Sequence, residues 1–244
     1  ALCALDVAAH DLYGKINGVP IHQYWGLDTS RIPLTNYTIG IDELSKMESK
    51  IKAFPWPVYK IKLVTDDDLS IVKAHRKITD AIFRVDAICA WTDAQTIEYA
   101  NSFKELVVEF IEQPLAAGDW EGMAEVYKHS TLPIIADESC IEMTDVARCK
   151  GYFHGVNIKL MKCGGLLAAQ EIATIAKAGG IDLFWGCNDE SIVSITAALH
   201  IAFASANTKY LDLDGSLDLA EDIVTGGFIL KDGLMSISDK PGLG

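Results

Sequence analysis

Short apolar runs recur at regular intervals along the chain, and segments of helical character lie between them. The runs are rich in β-branched and aromatic residues and have the length of buried strands. They lie at 36–41, 58–64, 83–89, 107–113, 132–138, 155–161, 181–187 and 210–215. The segment after the second run opens with three aspartates and the one after the sixth run closes on glycine, as helices commonly do.

Strands that alternate with helices in a chain of 244 residues predict an α/β barrel with parallel strands. A doubly wound open sheet is the alternative, but no GxGxxG or GxxxxGK loop follows any run. Residues 216–244 are typical of loops and a small hairpin rather than of an eighth helix. We expect the helix at 1–15 to pack in the place of that eighth barrel helix, so that 1–244 form a single domain.

Composition and charge exclude several classes of protein. Half of the residues are hydrophobic, and the net charge of −13 comes without a basic stripe, which argues against nucleic acid and anionic membranes as partners. The longest apolar runs have strand length, so we expect no membrane span. Six cysteines without metal-binding spacing are typical of a cytoplasmic protein. The sequence opens part-way along an amphipathic helix without Met, and we expect it to be a piece of a longer protein.

Charged residues close most of the predicted strands, at the end where barrel enzymes carry their chemistry. They are Lys60, Lys62, Asp86, Glu112, Asp137, Lys159, Asp212 and Asp214. Lys60 and Lys62 lie two apart and therefore share one face of their strand, which an edge strand with a solvated face would also explain. Solvation alone does not readily explain the whole set.

Three of these residues form a candidate metal site. Asp86, Glu112 and Asp137 lie at the ends of three consecutive strands, and carboxylates brought together in a barrel mouth repel unless a cation holds them. Ligation by oxygen alone predicts Mg²⁺, with Mn²⁺ as the next choice. A solvated strand end or an ion pair is the alternative for each acid taken singly.

The lysines are candidate acid/base groups. Strands two and six face each other across an eight-stranded barrel, which places Lys60 and Lys62 opposite Lys159. A divalent cation and a second lysine nearby should lower a lysine pKa, so that the side chain can donate or accept a proton. Two such lysines could remove a proton from one face of a carbon and return it on the other, with a metal-stabilised enediolate between the two steps.

Strand parity separates the candidates from their neighbours. Lys162 falls on the opposite parity to Lys159, and Glu138 should point away from Asp137, so we favour Lys159 and Asp137 as site residues. Asp212 and Asp214 point the same way and could receive a substrate ammonium group. A solvated turn before the following glycine is the alternative for that pair.

These motifs resemble the barrel domain of the enolase superfamily, in the muconate-lactonizing-enzyme subgroup, and most of all the dipeptide epimerases of the L-Ala-D/L-Glu type. The resemblance covers essentially the whole chain. It rests on KIK at 60–62, DAICAW at 86–91, FIEQP at 110–114, ADES at 136–139, NIKLMKCGG at 157–165 and LDLDG at 211–215. The resemblance implies a TIM-type (β/α)7β barrel and a cytoplasmic isomerase that acts on dipeptides, by default Ala–Glu from cell-wall peptide metabolism.

The resemblance also implies roles for the site residues. Asp86, Glu112 and Asp137 would bind Mg²⁺, Lys62 and Lys159 would be the two acid/base groups, and Lys60 would neutralise the substrate carboxylate. Asp212 and Asp214 would bind the dipeptide ammonium group and thereby distinguish an epimerase from the cycloisomerases and o-succinylbenzoate synthases of the subgroup.

Two departures from the family favour another alternative, a catalytically inactive or isolated barrel. The family usually has Asn where this chain has Ile88, and Ile88 shares strand parity with Asp86, so we expect an apolar group beside the metal. The N-terminal capping domain that closes the barrel mouth in the family is absent from the sequence. The sequence leaves both a monomer and a homo-oligomer open.

Overall fold

The computed structural model describes residues 1–26 and 33–244, and its centre is a sheet of eight parallel strands in chain order. The strands are β1 (Tyr37–Ile39), β2 (Val58–Lys62), β3 (Ile82–Asp86), β4 (Val108–Glu112), β5 (Ile134–Ala136), β6 (Gly155–Ile158), β7 (Asp182–Trp185) and β8 (Thr208–Leu211). All eight predicted runs contain a strand, and several strands end before the run does because the chain turns into the next loop.

Helices follow β1 to β7 and cover the outside of the sheet. The helices are α1 (Leu2–Asn17), α2 (Ile21–Tyr24), α3 (Leu44–Ala53), α4 (Asp68–Arg76), α5 (Asp93–Glu105), α6 (Trp120–His129), α7 (Met143–Cys149), α8 (Leu160–Cys163), α9 (Leu166–Gly179) and α10 (Ile192–Ala204). At the start of α5, the Thr92 hydroxyl accepts from the Gln95 amide while the Gln95 side chain accepts from the Thr92 amide. None of the helices in the described residues combines the length and the apolar character that crossing a bilayer requires.

The first and last strands meet and close the sheet into a barrel. Thr35 and Leu211 form a parallel bridge, and the Asn36 amide donates to the Leu211 carbonyl at 3.2 Å. The Leu213 amide donates to the Thr35 hydroxyl at 2.8 Å. The prediction of a parallel α/β barrel is therefore confirmed, and the doubly wound open sheet is wrong.

Side chains fill the barrel interior below its mouth. Phe110, Ile135, Phe184 and Tyr210 form a buried cluster separate from the larger core that lies between the strands and the helices. The Phe110 and Tyr210 rings lie 4.7 Å apart between centroids. The interior is therefore packed, and the cavity at the carboxyl ends of the strands has a floor.

The N-terminal helix and the C-terminal segment pack together outside the barrel. Asp6 of α1 accepts from the Leu166 amide at the start of α9, at 2.5 Å, and Asp11 accepts from the Leu243 amide at 2.9 Å. After β8 the described chain forms turns and then the antiparallel hairpin of β9 (Phe228–Lys231) and β10 (Leu234–Ile237). That α1 stands in for an eighth barrel helix stays a prediction.

Candidate functional site

The strand register brings the predicted charged residues to one end of the barrel. Lys62 pairs with Asp86 and Asp86 pairs with Glu112, so the ends of β2, β3 and β4 are level. Asp137 and Lys159 each follow directly on a strand end, after β5 and β6. A cavity of about 380 Å³ at this end is lined by Thr38, Gly40, Lys50, Lys60, Lys62, Lys159, Cys187, Asn188, Asp189, Asp212, Asp214, Gly215 and Asp218.

Lys60 is the buried cation at the centre of the site. Its Nζ lies 2.8 Å from Asp212 Oδ2, 2.8 Å from Glu112 Oε2 and 3.2 Å from Asp86 Oδ2. Burial lowers the pKa of Lys60, but the three carboxylates outweigh burial and hold it well above its usual value. Lys60 is therefore a fixed positive charge in this structure, and its role in neutralising a substrate carboxylate stays a prediction.

The Asp137 carboxylate forms ion pairs with two lysines. Lys159 Nζ lies 2.9 Å from Asp137 Oδ2 and Lys162 Nζ lies 2.5 Å from Asp137 Oδ1. The parity argument against Lys162 was wrong on this point, because β6 ends at Ile158 and the short helix α8 turns Lys162 back towards the strand ends. Only Lys159 of the two lines the cavity.

The carboxylates around Lys159 raise its pKa in this structure, and the lowering expected beside a divalent cation stays a prediction. Burial lowers the pKa of Lys159, but the carboxylates of Asp137 and Glu112 raise it by more than burial lowers it. The pKa of Lys159 therefore lies above its usual value. Proton transfer by Lys159 therefore requires that the negative charge facing it be compensated. Lys62 is half-buried, lines the cavity and forms no ion pair with any described residue.

The carboxylates have a chemistry that fits a divalent cation, although no group of three or more His, Cys, Asp or Glu side chains in the described ranges is arranged to hold one. Glu112 is fully buried, and its Oε1 accepts from Asn157 Nδ2 at 2.6 Å. Its Oε2 accepts no well-directed hydrogen bond and faces only the Lys60 ammonium group. Burial raises the pKa of Glu112 to about 8; Lys60 opposes the rise, and Asp86 and Asp137 add to it. A cation at Asp86, Glu112 and Asp137 would supply the missing positive charge.

Asp212 and Asp214 both line the cavity, but their electrostatic surroundings differ. Burial raises the pKa of Asp212, yet Lys60 and hydrogen bonds from Lys60 and Asn36 bring it down to about 2. Asp214 accepts from the Thr38 amide at 2.6 Å, and burial and Asp212 raise its pKa to about 7. A second ammonium group near Asp214 would relieve this repulsion.

Gln113 is a supporting residue that sequence reasoning missed. Its Nε2 donates to Leu115 O and to Ser139 Oγ, each at 2.8 Å, and its Oε1 accepts from the amides of Asp137 and Ser139 at 3.0 Å. The fully buried side chain therefore ties the end of β4 to the loop that carries Asp137. The sequence did give one indication of this role, because Gln113 directly follows the candidate metal ligand Glu112 in the FIEQP motif.

An apolar Ile88 side chain beside the metal stays a prediction. Strand β3 ends at Asp86, and Ile88 lies in the following turn with a φ of 47°, so strand parity does not decide where its side chain points. Its backbone amide donates to Asp86 Oδ1 at 3.1 Å. The backbone, whatever the side chain, therefore helps to orient Asp86.

Comparisons with known proteins give the family. Residues 45–244 match the model of enolase C-terminal domain-like proteins. An L-Ala-D/L-amino acid epimerase of Flavobacterium johnsoniae is 50% identical over 244 residues, which are all of this chain and 71% of that relative. An L-Ala-D/L-amino acid epimerase of a Maribacter species is 51% identical over 233 residues, 96% of this chain and 68% of the relative.

Solved structures agree with the sequence comparison. The crystal structure of a dipeptide epimerase from Methylococcus capsulatus, complexed with Mg ion, matches with a TM-score of 0.92 and 38% identity over all of this chain and 73% of that one. The expectation of an isomerase is confirmed by these epimerases, and that of a TIM-type barrel by the shared fold. The chain belongs to the enolase C-terminal domain-like family, as its motifs predicted.

Proposed function

We propose that the chain is a Mg²⁺-dependent dipeptide epimerase that inverts the α-carbon of the C-terminal residue. The observation that carries the proposal is the cavity itself, which is lined by Lys62 and Lys159 from strands on opposite sides of the barrel and by the Asp212/Asp214 pair. Relatives at 50% and 51% identity that are L-Ala-D/L-amino acid epimerases support the same class of substrate.

The three strand-end carboxylates would hold the metal. Asp86, Glu112 and Asp137 present oxygen ligands from neighbouring strand ends, which suit Mg²⁺ and, second to it, Mn²⁺. When bound, the ion would stabilise negative charge that develops on the substrate carboxylate. Lys60 adds a fixed positive charge next to Asp86 and Glu112 and next to Asp212.

The two lysines at the cavity walls would move the proton. A neutral Lys62 or Lys159 removes the α-proton from the face it meets, and the protonated lysine opposite delivers a proton to the other face, which inverts the carbon. Asp137 contacts Lys159 at 2.9 Å and keeps its ammonium form in place as the proton donor. Lys62 lines the cavity and has no ionic partner among the described residues, so its amine is free to meet the substrate from the opposite side.

The Asp212/Asp214 pair would select for a dipeptide. Asp214 is buried and carries a raised pKa of about 7, so a substrate ammonium group would stabilise its ionised form. Cycloisomerase and o-succinylbenzoate synthase substrates have no ammonium group. We expect the double variant Asp212→Asn/Asp214→Asn to lose turnover of dipeptides, and retained turnover would contradict this role.

Proton NMR in D₂O, with Mg²⁺ and a pool of L,L- and D,L-dipeptides, tests the proposed function. Loss of an α-proton signal together with a new diastereomer would support it and identify the substrate. We further propose that an N-terminal capping domain closes the cavity, so the chain is assayed alone and joined to a capping domain of the family. Absence of exchange in both forms would refute the epimerase proposal.

The cell context belongs to the same proposal. We expect a cytoplasmic enzyme that acts on Ala–Glu dipeptides from cell-wall peptides, and the dipeptide pool should therefore include L-Ala-D-Glu and L-Ala-L-Glu beside pairs with apolar and basic residues. Preference for an apolar or basic second residue would correct the substrate and leave the reaction class unchanged. Size-exclusion chromatography with light scattering would decide between a monomer and a homo-oligomer.

A further inference from the structure

A buried arginine lies inside the barrel beneath the cavity. Arg84 precedes Asp86 by two residues in β3, so both side chains point into the barrel, and Arg84 is only 3% exposed. The rings of Phe110, Phe184 and Tyr210 lie 5.2–5.8 Å from its guanidinium carbon. Burying a cation in an apolar layer is costly unless it is well bonded, so its contacts indicate what it supports.

The guanidinium group links the bottom of the barrel to the site. Nε donates to Glu109 Oε2 at 2.9 Å. Nη1 donates to the Leu211 carbonyl at 2.6 Å and to Asn36 Oδ1 at 3.1 Å. Asn36 Nδ2 in turn donates to Asp212 Oδ1, and the other oxygen of Asp212 contacts Lys60. A continuous set of hydrogen bonds therefore joins Arg84 to the carboxylate that lines the cavity.

The chemistry of the donors fixes the direction of this set. A guanidinium group only donates, so the Asn36 side chain must turn its oxygen towards Arg84. The amide nitrogen of Asn36 then faces Asp212, and the Asp212 carboxylate must accept. The reversed amide would place donor against donor at Arg84 and acceptor against acceptor at Asp212. Arg84 thereby fixes, together with Asp212, which way the Asn36 amide points.

We propose that Arg84 and Asn36 are positioning residues that hold the Asp212 carboxylate in one orientation for the substrate ammonium group. This inference rests on the proposed function, because it assigns these residues to the recognition of a dipeptide. Neither residue lines the cavity. Their effect on substrate is therefore transmitted through Asp212.

The variant Arg84→Lys tests the inference in the whole chain. Lysine keeps the charge, but its ammonium group lacks the planar guanidinium geometry with which Arg84 donates to both Asn36 and Leu211. We expect the KM for a dipeptide to rise at least tenfold while kcat changes less than threefold. Asn36→Leu removes the bond to Asp212 directly and should shift KM in the same way, which keeps the test available if one variant folds poorly.

Arg76→Lys is the matched control. Arg76 also donates to main-chain carbonyls, those of Leu106 and Thr79, and stacks on Phe83, but it has no contact with the cavity. Its replacement should lower stability and leave KM within twofold of the parent. An unchanged KM in Arg84→Lys, or a kcat that falls as much as KM rises, would overturn the positioning role.

A second readout does not depend on activity. In ¹⁵N-labelled protein the side-chain amide protons of Asn36 should exchange slowly with solvent, and Arg84→Lys should speed their exchange at least tenfold while Arg76→Lys leaves it unchanged. Equal exchange in parent and Arg84→Lys would refute the inference. If the parent chain does not turn over dipeptides, the proposed function fails, and the exchange measurement alone decides whether Arg84 orients Asn36.

Discussion

Removal of the Lys60 ammonium group is the sharpest perturbation of the site, because three buried carboxylates depend on it. In Lys60→Met the methylene chain is largely kept and the charge is lost, so the change isolates electrostatics. Asp86, Glu112 and Asp212 lose contacts of 3.2, 2.8 and 2.8 Å. All three remain buried, and those that are ionised lose the cation that faces them.

The size of the effect follows from these contacts. Two unit charges 4 Å apart attract by about 4 kcal/mol at an effective dielectric constant of 20, so the contacts with Asp86 and Asp212 alone amount to roughly 8 kcal/mol before desolvation of the ammonium group is subtracted. Breaking a buried ion pair by removing one partner costs about 3–5 kcal/mol in measured cases. We expect Lys60→Met to lower the free energy of unfolding at pH 7 by that amount.

The pH dependence gives a second signature. Glu112 has a folded-state pKa of about 8, above its unfolded value, so its contribution to stability is full at low pH and is lost as the pH rises towards 8. Lys60 opposes the rise in the pKa of Glu112, so its loss raises that pKa further and the variant loses more stability over the same rise in pH. The difference between parent and variant should therefore be largest near pH 8 and shrink towards pH 4.

Urea unfolding followed by circular dichroism measures both effects. Lys209→Met is the matched control, because Lys209 contacts Asp182 at 2.7 Å but both side chains are well exposed. Such an exposed pair contributes about 0–1 kcal/mol. If Lys60→Met lowers the free energy of unfolding at pH 7 no more than Lys209→Met does, the Lys60 ammonium group does not stabilise the three buried carboxylates as its contacts indicate.

Three further predictions concern stability. Burial lowers the pKa of His75 to about 4, so its contribution to stability is full above pH 6.5 and is lost as the pH falls to 4. The free energy of unfolding, measured with urea, should therefore fall by up to about 3 kcal/mol more between pH 7 and pH 4.5 in the parent than in His75→Phe. Val107 is exposed and has a φ of 56°, so Val107→Asn should raise the free energy of unfolding by about 1 kcal/mol, and a lower value would contradict the backbone strain. Gln113→Leu leaves the amides of Asp137 and Ser139 without their acceptor and should cost about 2–4 kcal/mol by the same assay, whereas a neutral result would contradict its role as a tie.

Strand geometry explains which parts of the site could be predicted from sequence. Within a strand, side chains alternate strictly, so the shared face of Lys60 and Lys62 follows from their spacing alone. The level ends of β3 and β4 do not, because the register between these strands shifts between Phe83 and Val85. Beyond a strand end this rule lapses. Ile88 lies in a turn with positive φ and Lys162 lies in a helix, so strand parity does not decide where either side chain points.

Contacts between distant strands explain the rest. Nothing local in the sequence relates Asn36 to Asp212, which are 176 residues apart, and the amide direction between them is set by Arg84 on a third strand. Likewise Gln113 acts on a loop after the next strand. Such partners become apparent only when the register of the sheet is known.

The closure of the barrel between Thr35 and Leu211 has a consequence for how the protein folds. Lys60 and Asp212 are 152 residues apart, and Asp212 directly follows the strand that completes the ring. Pairing of such distant segments carries a large loop-closure entropy and is slow. We therefore expect the part of the cavity that Asp212 and Asp214 line to form late in folding.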